Sequence, residues 1–141
     1  MPESLTAHRT VSVAAALLTG TLATLHVYWA AGGQAGLAAA LPEADDGGAR
    51  FTPSPVMTLG VATGLTSMSA ATLSANSLQM RWPLRLTALV FLLRAVGDGR
   101  TVGLTRRGGQ SVFARNDARL YTPLCLLLAA LYSVLAFGRR D

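Results

Sequence analysis

Lysine is absent from this chain of 141 residues, and all twelve basic side chains are arginine. Charge of any kind is scarce, at 13% of residues against about 25% in an ordinary soluble domain. The net charge of +5 is broken into short clusters between long uncharged stretches, which excludes the continuous basic stripe that a nucleic-acid surface needs. Cys125 is the one cysteine, so an intrachain disulfide and a cysteine-rich metal centre are both excluded. The acidic run Glu43, Asp45 and Asp46 beside Gly47-Gly48 has no fixed ligand spacing and reads as a solvated loop rather than a metal site. Neither a metal nor a cofactor is expected.

Apolar residues make up 51% of the chain. They gather into four segments near the roughly 20 residues that cross a bilayer: Thr10–Ala31, Pro55–Ala75, Pro83–Gly99 and Leu120–Gly138. Pro55, Pro83 and Pro123 fall in the expected first turns, where a missing N–H costs nothing. A cleaved signal peptide fits the first segment poorly, because His26-Val27-Tyr28-Trp29 is awkward so close to a cleavage site. A soluble bundle fits less well, because segments one, two and four have no charged outer face. The expected fold is all-α, a four-helix transmembrane bundle in a single domain over residues 1–141. Gly60 and Gly64 form GxxxG in the second span, and Ala16, Gly20 and Thr24 form a small-residue ridge in the first. Such ridges let helices approach closely in lipid, either within the bundle or, through Gly60 and Gly64, in a homo-oligomer.

Four spans put both termini on one side, with Arg9, Arg81, Arg85, Arg139 and Arg140. The other side carries Arg50, Arg100, Arg106, Arg107, Arg115 and Arg119. The positive-inside rule favours cytoplasmic termini only if Arg100 and Arg115 are held in ion pairs.

The same topology gathers polar residues at one membrane face. The first span leaves there with His26, Tyr28 and Trp29, the third with Arg94 and Asp98, and the fourth begins there with Asp117 and Tyr121. Asp117, Tyr121, Cys125 and Tyr132 share one side of an ideal helix. Arg94 and Asp98 are four apart and so neighbours on a helix, with Arg94 roughly 6 Å deeper at 1.5 Å per residue. An arginine within a span costs about 2.5–3.5 kcal/mol on insertion scales, so Arg94 should face inward and be paired. Asp98 is the near candidate and Asp117 the cross-helix one. Each residue also has a plainer reading. The Arg94 ion pair can simply fix helix register, Tyr28 and Trp29 can be belt aromatics, and Cys125 can simply pack. Arg106 and Arg107 can be solvated or meet lipid phosphates, and His26 is as suited to a structural hydrogen bond as to chemistry.

The stretches HVYWAAGG at 26–33, FLLRAVGDGR at 91–100 and FARNDARLYTPLCLLL at 113–128 together resemble a family of small bacterial four-span membrane proteins known only as a domain of unknown function. The resemblance runs from about residue 10 to 138. It implies the fold and a location in the bacterial plasma membrane, and it implies no chemistry. The matching polar positions are His26, Tyr28, Trp29, Arg94, Asp98, Arg100, Arg115, Asp117 and Tyr121. Where the family pattern leads one to expect an aromatic after Asp98, this chain has Gly99.

Three functions fit these residues. The first is a pocket for an amphipathic anion or a membrane lipid, with arginine forks on phosphate or carboxylate and Arg100 or Arg115 essential to it. The second is an accessory subunit docking through GxxxG and the loop arginines. The third is a small enzyme with His26 as acid or base, oriented by Asp98 or Asp117. No nucleophile elbow, P-loop or HExxH motif accompanies them.

Overall fold

A computed structural model describes residues 2–44, with side chains from Thr6 onward, together with 50–74, 80–107 and 109–138. Among these residues there is no strand. The elements are α1 (Pro2–Ala30), the single turn α2 (Leu37–Ala40), α3 (Pro55–Ser74), α4 (Arg81–Val96), α5 (Val112–Asn116) and α6 (Thr122–Phe137). A π-helical turn, Asp117–Tyr121, joins α5 to α6. Three helices are long and apolar enough to cross a membrane: Thr6–Ala30 of α1, α3, and the rod Val112–Phe137. Their apolar side chains face outward, and in α3 only 11% of the apolar stretch is buried within the protein. Val56, Met57, Leu17 and Trp82 are each more than 60% exposed, an apolar exterior that suits hydrocarbon and not water. The chain is a small all-α membrane protein.

Hydroxyl side chains on these apolar helices are satisfied locally. Thr21 donates to the carbonyl of Leu17 at 2.9 Å, Thr24 to Gly20 at 3.0 Å, Thr72 to Met68 at 2.6 Å and Thr87 to Pro83 at 2.9 Å. In each case the partner lies four residues back, which is how a polar side chain avoids an unsatisfied donor in lipid.

Helix α1 packs chiefly on α3, and α4 on α6, while the two pairs meet mainly through α1 and α6. Across the first pair the Ser69 hydroxyl donates to the carbonyl of Ala16 at 2.8 Å, on the Ala16–Gly20 ridge. The second pair packs around Leu84, Ala88, Phe91, Leu128 and Tyr132, with the Phe91 and Tyr132 rings stacked 6.0 Å apart. Tyr132 is fully buried, and its hydroxyl lies 2.9 Å from that of Thr19 on α1, a bond that ties the two pairs together. Gly60 and Gly64 face open space, with nothing within 4 Å of where a Cβ would stand. The ridge on α1 is thus used inside the bundle, and the GxxxG of α3 is not.

Several expected boundaries shift. The third apolar segment stops being helical at Val96, because Gly97 adopts φ 90° and turns the chain out of the helix. The fourth does not begin near Leu120 but continues back to Val112, where the Ser111 hydroxyl caps the helix by accepting from the amide of Ala114 at 3.0 Å. Pro123 stands in the first turn of α6, but α5 and the π turn run into that turn without a break, so the helical rod Val112–Phe137 continues past it. Immediately before Pro123, the Thr122 amide bonds to the carbonyl of Asp117, five residues back, and this wider turn accommodates a ring that an uninterrupted α-helix would resist. Ala75, Asn76, Gln79, the run Asp45–Gly48, and Arg139 and Arg140 lie outside the described residues.

Candidate functional site

The π turn rotates Asp117 into the interior, where it is fully buried. Four donors converge on it. Arg94 Nη2 lies 2.7 Å from Oδ1. The amide of Gly103 at 2.7 Å, Arg106 Nη1 at 3.3 Å and the Thr122 hydroxyl at 3.2 Å all reach Oδ2. A buried carboxylate needs this density of donors to offset its lost hydration. Two guanidinium groups thus share one carboxylate.

Arg94 is thus paired across helices with Asp117 and not with Asp98. The i, i+4 geometry that would join Arg94 to Asp98 needs a helix through residue 98, and Gly97 ends it first. Asp98 instead organises the exposed loop after α4. Its Oδ1 accepts from the amides of Arg100 at 2.9 Å, Thr101 at 2.7 Å and Val102 at 3.0 Å, and its Oδ2 from the Thr101 hydroxyl. The Thr101 hydroxyl first, then these amides, hold the carboxyl well below the usual carboxylate range. The loop folds back over the end of α4, with the amides of Leu104 and Thr105 on the carbonyls of Ala95 and Val96 at 2.8 and 3.0 Å. Gly97 and Gly103 cross in backbone contact, both with positive φ (90° and 78°), and a side chain on either would collide with main-chain atoms of the other strand of the loop. That crossing is what delivers the Gly103 amide to Asp117.

Because α3 and α4 barely touch, a cleft of about 630 Å3 opens between the helix pairs. Its walls are almost wholly apolar, among them Leu22, Leu65, Met68, Val90, Phe91 and Leu124, and the polar groups His26, Trp29, Arg94 and Tyr121 line it as well. The Arg94 side chain is partly exposed, while its Nη1 is covered by the protein and has no hydrogen-bond partner. His26 donates from Nδ1 to the carbonyl of Leu22 at 2.7 Å, so in the neutral ring Nε2 carries the lone pair. It meets Trp29 edge to face, with centroids 5.3 Å apart. Neither Asp98 nor Asp117 orients it, contrary to the enzyme reading. Trp29 is fixed by its Nε1 bond to Ala35 at 2.9 Å, and Tyr121 by its hydroxyl on the carbonyl of Ala39 at 3.0 Å.

The nine matching positions therefore separate. His26, Trp29, Arg94 and Tyr121 line the cleft, and Asp117 stands behind Arg94. Tyr28 packs on Gly33 and its hydroxyl accepts from the amide of Ala35 at 3.3 Å, which makes it a brace for the turn after α1. Asp98 shapes its own loop. Arg115 is exposed and gives Nη1 to the carbonyl of Gln110. Arg100 lines a different cavity, on the loop side, together with Arg106. Sequence reasoning missed Gly97, Gly103, Arg106 and Thr122. Arg106 in particular had been read as solvated or lipid-facing, and it is the second arginine of the buried cluster. Asp117 pairs with Arg94 and Arg106, whereas no ion pair of Arg100 or Arg115 is formed among the described residues. Arg100 and Arg115 thus lack the ion pairs on which cytoplasmic termini depended, and the arginine balance favours neither face.

A family model described as a protein of unknown function (DUF3995) matches residues 11–132. No curated protein and no solved structure matches the chain.

Proposed function

The chain belongs to the DUF3995 family, and we propose that it is a four-span membrane protein whose α3–α4 cleft holds an amphipathic anion, its acyl-like body between the helices and its head at Arg94. The observation that carries this reading is Arg94, whose side chain lines an otherwise apolar cleft, keeps 32% of its surface exposed and has one nitrogen, the buried Nη1, without a hydrogen-bond partner. A buried guanidinium donor without an acceptor is costly, and a carboxylate or phosphate oxygen is the group that satisfies it best. Trp29 and Tyr121 are held by hydrogen bonds to backbone carbonyls, so the aromatic wall beside the head is preorganised.

Chain connectivity supports α4 as the fourth crossing. From Ser74 to Arg81 the chain reaches at most about 25 Å at 3.6 Å per residue, so α4 starts on the face where α3 ends. Its far end pairs with Asp117, on the side where Tyr121 bonds to Ala39 of the α1–α3 connection. With 16 residues α4 is about 24 Å long, short of the roughly 30 Å hydrocarbon core. Arg81, the exposed first residue of α4, bridges part of the difference by reaching toward the headgroups. At the end opposite Arg94, the Arg85 guanidinium sits over the rings of Trp82 and Phe137, at 5.4 and 4.8 Å, an arrangement suited to the membrane interface.

The test is native mass spectrometry of protein purified in mild detergent, followed by competition with a spin-labelled fatty acid. Gly64 lines the cleft and has open space where a side chain would grow, so Gly64→Leu should fill the cleft without straining the bundle. Bound anionic lipid, lost in Gly64→Leu and in Arg94→Gln, is the expected result. Equal occupancy in the parent and in a folded Gly64→Leu variant would overturn the proposal.

A further inference from the structure

A second cavity, of about 490 Å3, opens on the loop side of Asp117 and shares no wall with the cleft. Among the described residues four arginines line it, Arg50, Arg100, Arg106 and Arg107, with Glu43 as the carboxylate beside them. They come from two segments distant in sequence, and each is fixed through its backbone or its head. The Arg50 amide bonds to the carbonyl of Pro42 at 2.8 Å, and the Arg107 amide to that of Arg100 at 3.2 Å. The Arg100 amide is held by Asp98, and the Arg106 head by Asp117. Buried Phe113 and Ala114 supply an apolar part of the lining.

We infer that this cavity is a binding site for a phosphate ester or diphosphate carrying at least two negative charges, independent of the ligand in the membrane cleft. Like charges gathered on preorganised backbones repel one another, and the repulsion is relieved by a multivalent anion lying among them. Guanidinium forks match phosphoryl oxygens in pairs. A single carboxylate carries too little charge to balance several guanidinium groups, and a di- or polyanion balances more of them. The volume exceeds what a phosphoryl group fills and falls in the range of small-molecule sites, about 300–1,000 Å3, so the ligand carries a modest body that rests on Phe113. The phosphoryl group can belong to a lipid headgroup or to a soluble metabolite, and the chemistry of recognition is the same.

The experiment is isothermal titration of the full chain in nanodiscs of neutral lipid, with sodium pyrophosphate as the probe. Arg100 and Arg107 hold the loop through their backbone amides, so Arg100→Gln and Arg107→Gln should leave the loop in place. Each should weaken pyrophosphate binding about tenfold or more, while Arg9→Gln, at the other end of α1, leaves it unchanged. If either loop variant unfolds, Arg50→Gln replaces it, since Arg50 sits on a separate segment. Absence of binding at millimolar pyrophosphate overturns the inference, as does equal weakening in Arg9→Gln, which would mark a diffuse field rather than a site. Competition by phosphatidic acid added to the disc supports the site and assigns its ligand to the bilayer. Competition by glycerol phosphate alone supports it and assigns the ligand to the aqueous phase.

Discussion

Asp117→Asn is the substitution whose consequence the geometry defines most sharply. The two side chains are nearly isosteric, so no cavity forms and packing is unchanged. What changes is charge and donor count. The carboxylate is fully buried and accepts from two guanidiniums, an amide and a hydroxyl. Each close ion pair is worth about 4 kcal/mol at 4 Å and an effective dielectric constant near 20, and relief of the carboxylate's own desolvation offsets part of the loss. Asparagine removes both attractions, leaves Arg94 and Arg106 repelling each other, and turns an NH2 toward at least one donor. Removing one partner of a buried pair costs about 3–5 kcal/mol in measured cases, and the expected loss lies in that range. Arg94→Gln or Arg106→Gln should each cost less, because Asp117 then keeps the other arginine together with Gly103 and Thr122. The assay is unfolding by SDS titration in mixed micelles, read by circular dichroism. A loss under about 1 kcal/mol for Asp117→Asn, well below the cost of breaking a buried pair, would refute the reasoning. So would a larger loss in either arginine variant.

A double-mutant cycle separates the two possible partners of Arg94: Arg94→Gln and Asp117→Asn should couple by about 0.5–3 kcal/mol, whereas Asp98→Asn should have the same effect whether or not Arg94 is present. Strong coupling of Arg94 to Asp98 in the same titration would reinstate the intrahelical pair. Gly103→Ala forces a side chain into a positive-φ position beside the carbonyl of Ala95 and should cost at least about 1–3 kcal/mol in backbone strain alone. Gly64→Ala, in open space on a helix, should instead stabilise by up to about 1 kcal/mol, and thermal melts of the two variants in detergent check the contrast. Because the folded-state carboxyl of Asp98 is depressed, its contribution is complete above the ordinary carboxylate value of about 3.9 and is lost as pH falls below it toward the folded-state value. Amide resonances of Arg100, Thr101 and Val102 in micelles should therefore hold steady down to about pH 4 and shift only below it. A transition well above about pH 4 that disappears in Asp98→Asn would contradict the assignment.

The apolar runs were legible because insertion in lipid is decided by composition over about 20 residues, a property that needs no tertiary contact. The inward, paired state of Arg94 was legible for the same reason, since an arginine within a span has few other options. Its partner was not, because the i, i+4 argument assumed a helix through Asp98. Gly97 was the contrary signal, a residue that commonly ends helices in the left-handed region. The role of Arg106 depends on the loop crossing of Gly97 over Gly103, and local periodicity carries no information about such a crossing. The π turn was hidden in a different way: Pro123 was compatible with a first turn, and only the cap at Ser111 shows that the helix had begun earlier. The cleft is a consequence of which helices pair, and Gly60 and Gly64, the motif that suggested close packing, lie where α3 has no neighbour within the chain.

The question of whether the Arg94 ion pair holds the fold or serves a ligand assumes that it does only one. A guanidinium has five N–H donors, and Asp117 takes one nitrogen of Arg94, Nη2, and one of Arg106, Nη1. Each arginine is thereby fixed at one end. Nη1 of Arg94 is left over beside the cleft, and Arg106 lines the loop-side cavity while still bonded to Asp117. A lone arginine in either place would swing toward water or headgroups, because its long side chain gains entropy by doing so. Anchoring both heads on one buried carboxylate removes that freedom without neutralising the second charge. The structural bond is thus the condition for the proposed anion-binding role, and a variant that keeps both arginines but loses the anchor, such as Thr122→Val combined with Asp117→Asn, should lose ligand affinity along with stability.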